Sequence, residues 1–465
     1  MSTSTPSLVM LHLGLGSFHR AHQAVYMHHL RETGDLSWSI VGGNIRDDMP
    51  ETMAALIAQK GEYTLETVTP AGVRQYERIS SISEVIPFEP SLARLIEVGS
   101  APTTRIISFT VTEAGYYLDS KNSLDLSYAD LRSDLEGGTK ITIYGALTAI
   151  LKARAANGGA PVTLLSCDNL RSNGVRFRAG LLDFLKRCGE LALLEWVKTN
   201  TTCPCDMVDR ITPRPAPEVT QRVLAATGWA DKAPVMSESF IQWVIEDTFI
   251  AGRPDWNTVG AEFVDSVHAY EEAKIRILNA THSCVAWAGT LKGLNYIHED
   301  VAMHEIRQMA YDYVTNDVIP CLDTAEHPCP IDLAKYRDVV LDRFGNPNVC
   351  DTNQRVAADG FTKLAGFIAP TIRDRLAAGK SIASVARLPA LFLTFLEQWH
   401  AGKLPFSYQD QVMSPEVGHA ICASSDPVAA LISEAVCWEE LAGNELLREA
   451  LVQARREIQS FVNGA

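Results

Sequence analysis

The sequence predicts two parts: an α/β domain built on a mostly parallel sheet, then a mostly α-helical domain. Three observations carry this expectation. Strand-like apolar runs alternate with helical patterns through roughly the first 265 residues, the signature of strands joined by crossover helices. That alternation stops near Asp265, after which helix follows helix. The chain has 465 residues, 46% apolar and 21% charged, which suits a globular protein with more than one core.

The elements follow in order. Val9 to Leu13 reads as a short buried strand, Gly14 and Gly16 punctuate it, and Ala21, Ala24, Val25, Met27 and Leu30 form a helical stripe from Arg20 onward. Strand, glycine turn and helix open a Rossmann-type βαβ nucleotide-binding unit. Trp38 to Gly42 is the second strand, and further β-rich runs lie at Tyr63 to Val68, Arg105 to Val111 and Pro161 to Ser166. Helical patterns cover Pro50 to Gln59, Leu92 to Val98, Tyr144 to Ala156 and Phe177 to Cys188. The proline-rich stretch from Arg210 to Pro217 reads as a surface loop. From about Asp265 one long helix runs to Gly293, Asp426-Pro427 caps and starts a later helix, and Asn444 to Val462 is a last amphipathic one. The expected domains are 1–265, Rossmann-type, and 266–465, mostly helical.

Composition narrows the function. Lys plus Arg is 41 against 56 for Asp plus Glu, a formal charge of -15, which argues against nucleic acid or an anionic membrane as the main partner. A small anionic ligand stays compatible, because backbone N–H groups bind phosphate without basic side chains. The ten cysteines are scattered without a repeated CxxC, so neither a structural zinc site nor a disulfide framework is expected. The opening residues lack the basic start and apolar stretch of a signal peptide, and no apolar run is long enough to span a bilayer. A reducing cytoplasm is the expected location.

Two segments carry chemistry. His12 to Arg20, HLGLGSFHR, has the GxG of a phosphate loop, with His19 where the usual fingerprint has its third glycine. The residues placed at a dinucleotide are Gly14, Gly16, Ser17, Phe18 and Arg20. After the second strand, Asp47 or Asp48 is placed to accept from ribose hydroxyls, which favours NAD, while Arg46 leaves room for the 2′-phosphate of NADP. The second segment is Glu271 to His282. At about 100° per residue, with Lys274 at zero, Glu271 falls near 60°, His282 near 80° and Asn279 near 140°. Ile275 and Leu278 share that arc, so the helix carries Lys, Asn and His into a partly buried setting. Burial disfavours an ammonium and makes a lysine usable as a base, and Asn279 and His282 are donors for an alcohol or carbonyl oxygen.

Other residues read more plainly. Asp168 and Asn169 follow a buried strand but suit turn formers and helix caps. Asp209 and Arg210 lie in an apolar setting that implies a paired charge. Arg355, Asp359 and Lys363 are spaced i, i+4, i+8 and would share a helix face as a salt-bridge stripe. Histidines 12, 19, 22, 28 and 29 spread over strand, turn and helix without carboxylate partners, so no metal is expected there.

Taken together, HLGLGSFHRAHQ (12–23), FTVTEAGY (109–116), SCDNLRSNG (166–174), MVDRITP (207–213), SESFIQWVIED (237–247) and KIRILNATH (274–282) resemble the polyol-specific long-chain dehydrogenases, the mannitol dehydrogenase family. QRVAADGFTK (354–363) continues the resemblance more loosely. The resemblance implies that Lys274 is the catalytic base, that Asn169 and Asn279 bind the reacting oxygen, and that His282 binds substrate. It puts Glu271 and Asp209 on the proton path and Arg355 and Lys363 in the substrate cleft. It also implies NAD, with NADP less favoured, no metal, and a monomer or small homo-oligomer. The expected reaction is oxidation of a secondary hydroxyl of an acyclic polyol, D-arabinitol to D-xylulose or D-mannitol to D-fructose. The alternative within the family is reduction of a hexuronate, fructuronate or tagaturonate. Two departures stand out: Phe361 replaces a common Ser, with the expectation of a reshaped pocket, and CPCDMVDR replaces a more usual lead-in.

Overall fold

The computed structural model describes residues 8–119, 123–214 and 216–464. Residues 1–7, and with them most of the segment read for a signal peptide, lie outside the described residues, as does Pro215 in the proline-rich loop. The chain forms two compact units. One runs to Thr69 and from Val73 to His268; the other comprises Pro70–Gly72 and everything from Ala269.

Among its described residues the first unit holds twelve strands: β1 Leu8–Leu13, β2 Trp38–Gly43, β3 Tyr63–Val68, β4 Arg74–Ile79, β5 Ile82–Ile86, β6 Thr104–Phe109, β7 Val162–Ser166, β8 Thr201–Thr202, β9 Asp206–Asp209, β10 Val235–Glu238, β11 Gln242–Glu246 and β12 Glu262–Val264. Six form the main sheet in the order β5-β2-β1-β6-β7-β8, every neighbouring pair parallel. This is the doubly wound Rossmann order, and its direction reverses at β1, between β2 and β6. The inner strands β2, β1, β6 and β7 are buried on both faces, as the middle strands of an all-parallel sheet must be. Leu11, Leu13, Ile107 and Phe109 enter one core, with Leu147, Ile150, Phe177 and Leu181 from the helices Ile143–Ala156 and Asn173–Arg187. Their alternates Met10, Ile40, Ile106 and Leu165 enter the other, with Val25, Met27 and Leu30 from the helix Gln23–Glu32. Two three-stranded sheets, β10-β3-β4 and β12-β11-β9, complete the unit. The sequence pattern missed most of their strands, which are short or half-polar.

The second unit is helical. The helix Arg387–His400 is buried nearly all round, through Leu388, Leu391, Phe392, Leu393, Phe395 and Leu396, so it is the central element of this core. Among the described residues three π-helical segments interrupt its helices: Lys274–Asn279, Val314–Val318 and Leu364–Ile368. The last two lie just before Pro320 and Pro370, where the missing N–H and the ring break the α ladder. Lys274–Asn279 has no proline near it. Its widened turn is held from outside: the Tyr313 hydroxyl donates to the Arg276 carbonyl at 2.9 Å, and the buried Arg276 guanidinium binds Glu272 and Asp374. The long helix expected from Asp265 thus begins at His268 and changes pitch at the lysine.

Candidate active site

The glycine turn sits at the C-terminal end of β1, at the point where the sheet reverses. Gly14 has φ +108°, and a Cβ there would meet the Thr110 carbonyl oxygen at 2.6 Å, so only glycine fits. Around Gly16 the space is open within 4 Å. The loop is tied to β2: Gly14 N–H donates to the Gly43 carbonyl and Leu15 N–H to Asn44 Oδ1, both at 2.9 Å. Asn44 was not singled out from the sequence, although it directly follows the glycine pair ending β2.

His19 explains the missing third glycine. Its ring lies flat on His12 at the end of β1, centroids 3.4 Å apart and 14° from parallel, so a thin aromatic ring takes the place of bare backbone. Burial holds both imidazoles neutral, pushing His12 down to about 3 and His19 well below its ordinary value. Ser17 and Phe18 open the short helix Ser17–Ala21, with Phe18 stacked on His22. Arg20, expected at the cofactor, is buried and donates to the carbonyls of Leu15 and Ala233, so it braces the loop from behind.

Past β2, Asp47 and Asp48 are exposed. Arg46 binds Asp130 Oδ2 and the Ile141 carbonyl, each at 2.8 Å, and the Tyr117 hydroxyl. Its charge is therefore already matched within the unit.

Beyond β7, Asp168 is buried and accepts from the N–H groups of Val111 and Thr112 and from the Tyr116 hydroxyl. Burial pushes its carboxyl up to about 6 against those hydrogen bonds. Asn169, next in the chain, is exposed in the bend. Asn173 donates to the Asp168 carbonyl and to Asp206, whose other oxygen takes the Trp243 indole N–H at 2.7 Å. This network fixes the bend carrying Asn169 and accounts for the Cys-Pro-Cys-Asp lead-in, which delivers Asp206. Asp209 is buried at the end of β9, while the Arg210 guanidinium donates to the carbonyls of Ala21 and Glu238.

In the second unit, Glu271 and Lys274 are buried, at 4% and 6% exposure. The π turn alters the angular spacing expected at α-helical pitch. Its bonds run over five residues, Ala280 N–H to the Ile275 carbonyl, so each residue stacks over the one five before it. Asn279 is five residues after Lys274 and falls on the lysine's own side. His282, one turn further on, stacks on Phe344 at 4.4 Å between centroids, and its Nε2 lies 3.3 Å from Asp351 Oδ2. Burial outweighs Asp351 and holds this imidazole below its ordinary range.

Arg355 and Lys363 do not share a helix. The helix Asn353–Ala357 ends, Asp359 takes the left-handed conformation at φ 56°, and Gly360–Lys363 starts a new turn. The salt-bridge stripe is replaced by a fork, with the Arg355 guanidinium binding both oxygens of Asp351 at 2.6 and 2.5 Å. Asp351, like Asn44, is not among the residues expected from the sequence, although its i, i+4 spacing to Arg355 is a readable signal. Although burial opposes it, His282 and Arg355 keep the Asp351 carboxyl well below the usual range. Lys363 donates to the Val356 carbonyl, and burial lowers its amine to about 8.

Residues 9–258 match the mannitol dehydrogenase Rossmann domain, and residues 266–459 match the mannitol dehydrogenase C-terminal domain. The chain belongs to the mannitol dehydrogenase family. It is 57% identical over 456 residues to a D-arabinitol 4-dehydrogenase of Ralstonia nicotianae, covering 97% of both chains. It is 52% identical to a D-arabinitol 4-dehydrogenase of Klebsiella pneumoniae, over 93% of this chain and 94% of the relative. A solved mannitol 2-dehydrogenase of Pseudomonas fluorescens, in ternary complex with NAD and D-mannitol, superposes with a TM-score of 0.85 at 30% identity, over 99% and 94% of the two chains. As a member of this family the protein is an oxidoreductase of the polyol dehydrogenase class.

Against the family pattern, Phe361 proves to be a core residue. It is buried against Phe392, with centroids 5.7 Å apart and the rings nearly perpendicular, so its ring packs into the helical core. Among the described residues no three His, Cys, Asp or Glu side chains are grouped to hold a metal ion, and no described helix is long and apolar enough to cross a membrane.

Proposed function

We propose that this member of the mannitol dehydrogenase family oxidises a secondary hydroxyl of an acyclic polyol, D-arabinitol or D-mannitol, to the ketose with NAD and without a metal. The observation that carries the reading is the buried Lys274 at the head of a π turn with Asn279 five residues on. A buried amine loses the hydration that favours its charged form, which suits a lysine to take a hydroxyl proton near neutral pH. Asn279 and Asn169 are assigned to the oxygen as amide donors, steadying partial negative charge as the proton leaves. Glu271 and Asp209 are assigned to carry that proton onward. His282 and Lys363 are assigned to the remaining hydroxyls.

The glycine turn fits a dinucleotide. Gly14 holds a conformation closed to other residues, and a side chain at Gly16 would fill the open ground beyond β1 that a pyrophosphate needs. Gly14, Gly16, Ser17 and Phe18 would hold it, with Asp47 or Asp48 on the ribose. When bound, the cofactor supplies the hydride acceptor that no side chain provides. The match of Arg46 with Asp130 supports NAD over NADP, because a 2′-phosphate would have to displace an existing carboxylate. The bidentate Asp351–Arg355 pair likewise supports a neutral polyol over a hexuronate, whose carboxylate needs an open guanidinium fork.

The test is a panel: NAD reduction with D-arabinitol and D-mannitol, against NADH oxidation with fructuronate and tagaturonate. Turnover on the polyols is expected. Preference for the uronates would replace this reading with the hexuronate reductase.

A further inference from the structure

Asp351 stands between His282 and Arg355, and the function just proposed uses it only as the partner of the Arg355 guanidinium. His282 Nε2 is buried, 3.3 Å from Asp351 Oδ2, and makes no well-aligned hydrogen bond to any described residue. The ring cannot tilt freely, because one face lies on Phe344 at an interplanar angle of 16°. Asp351 cannot swing away, because Arg355 holds both its oxygens and only 9% of its side chain is exposed. It also lies just ahead of a pinned segment. Asn353 donates to the Leu294 carbonyl and to Asp300, and Thr352 caps the helix Asn353–Ala357.

We propose that Asp351 is a positioning residue that fixes the tautomer of His282, placing its proton on Nε2 and leaving Nδ1 as a hydrogen-bond acceptor. A carboxylate oxygen can only accept, so the nitrogen facing it carries the proton, and a neutral imidazole has just one. His282 then accepts from a substrate hydroxyl rather than donating to it, reversing the role expected from sequence. An acceptor favours groups that bring a proton, which polyol hydroxyls do and an ionised carboxylate does not. Phe344 and Arg355 are the clamps that keep ring and carboxylate in register.

This inference rests on the polyol reading for its consequence but not for its geometry, and two measurements keep them apart. The first is nitrogen-15 NMR of histidine-labelled full-length protein at neutral pH, with His282 assigned by its loss in H282Q. The Nε2–H tautomer is expected in the wild type, and an Nδ1–H tautomer or an imidazolium would overturn the proposal even if Asp351 variants fail to fold. The second is D351N, whose amide can donate to Nε2 and so drive the proton to Nδ1. The tautomer signal should switch, and KM for D-arabinitol should rise about tenfold, the worth of one misdirected hydrogen bond, with kcat changing far less. Unchanged tautomer and KM in folded D351N would refute it. A wild type silent on every polyol but carrying the Nε2–H signal would sink the proposed function and leave the positioning role of Asp351 standing.

Discussion

Asp300 offers a stability test whose sign and slope follow from its surroundings. It lies in the helix Ile297–Ala302 and is fully buried, with the Asn353 amide 3.1 Å from Oδ1 and no hydrogen-bond partner at Oδ2 among the described residues. Packing leaves no slack, since a Cβ on Gly289 would fall 1.9 Å from Oδ1. Burial pushes the carboxyl up to about 8, with the Asn353 bond opposing it and Glu299 adding to it. The native state therefore keeps a proton that the unfolded chain gives up near pH 4, and wild-type stability declines as pH rises from about 4 to about 8. Asp300→Asn is nearly isosteric, keeps an oxygen for Asn353, and resembles the protonated acid at every pH. The stability difference between variant and wild type should grow in the variant's favour by about 1.4 kcal/mol per pH unit, reaching roughly 4 kcal/mol at pH 7 and levelling off above about pH 8. Urea unfolding of both proteins between about pH 5 and pH 8, followed by far-UV circular dichroism, reads the difference directly, and titrations common to both cancel. A difference independent of pH, or a variant less stable at neutral pH, would show that Asp300 is ionised in the fold and that the argument from burial is wrong.

Lys274→Ala should lower turnover by roughly 10²- to 10⁴-fold while the NADH dissociation constant, from fluorescence titration, holds within a few-fold; near-normal turnover would remove the lysine from the mechanism. Gly14→Ala combines a positive φ with a close approach to the Thr110 carbonyl, so a loss of roughly 1–3 kcal/mol in thermal stability and weaker NADH binding are expected. A melt and a binding isotherm both matching wild type would contradict the steric account. Asp130→Asn frees Arg46 from its carboxylate, and the ratio of kcat/KM for NADP over NAD should rise about tenfold, the worth of one charge-assisted contact. A fixed ratio would mean that Arg46 does not face the ribose.

The fold class was legible because its signals are local. Alternating apolar runs mark the strands, the glycines at 14 and 16 mark the turn, and the loss of alternation after Asp265 marks the helical part. What failed locally did so for physical reasons. Strands such as β4 and β5 are half-polar because only part of each is buried, so their pattern is weak. The stripe through Arg355, Asp359 and Lys363 assumed a continuous helix, which the left-handed backbone of Asp359 breaks.

The sequence by itself determined the succession of an α/β part and a helical part, the strands β1, β2, β3, β6 and β7, the glycine turn, and which segment brings lysine, asparagine and histidine together, since each rests on neighbours a few residues apart. Only the tertiary structure decided the pitch of that segment, which depends on a tyrosine hydroxyl and two carboxylates, one of them from a distant helix. It also decided which charges are already matched. Arg46 meets Asp130, Arg20 meets backbone carbonyls, and Asp351 stands between His282 and Arg355, because partner choice among buried polar groups is a matter of distance in space that spacing along the chain does not encode.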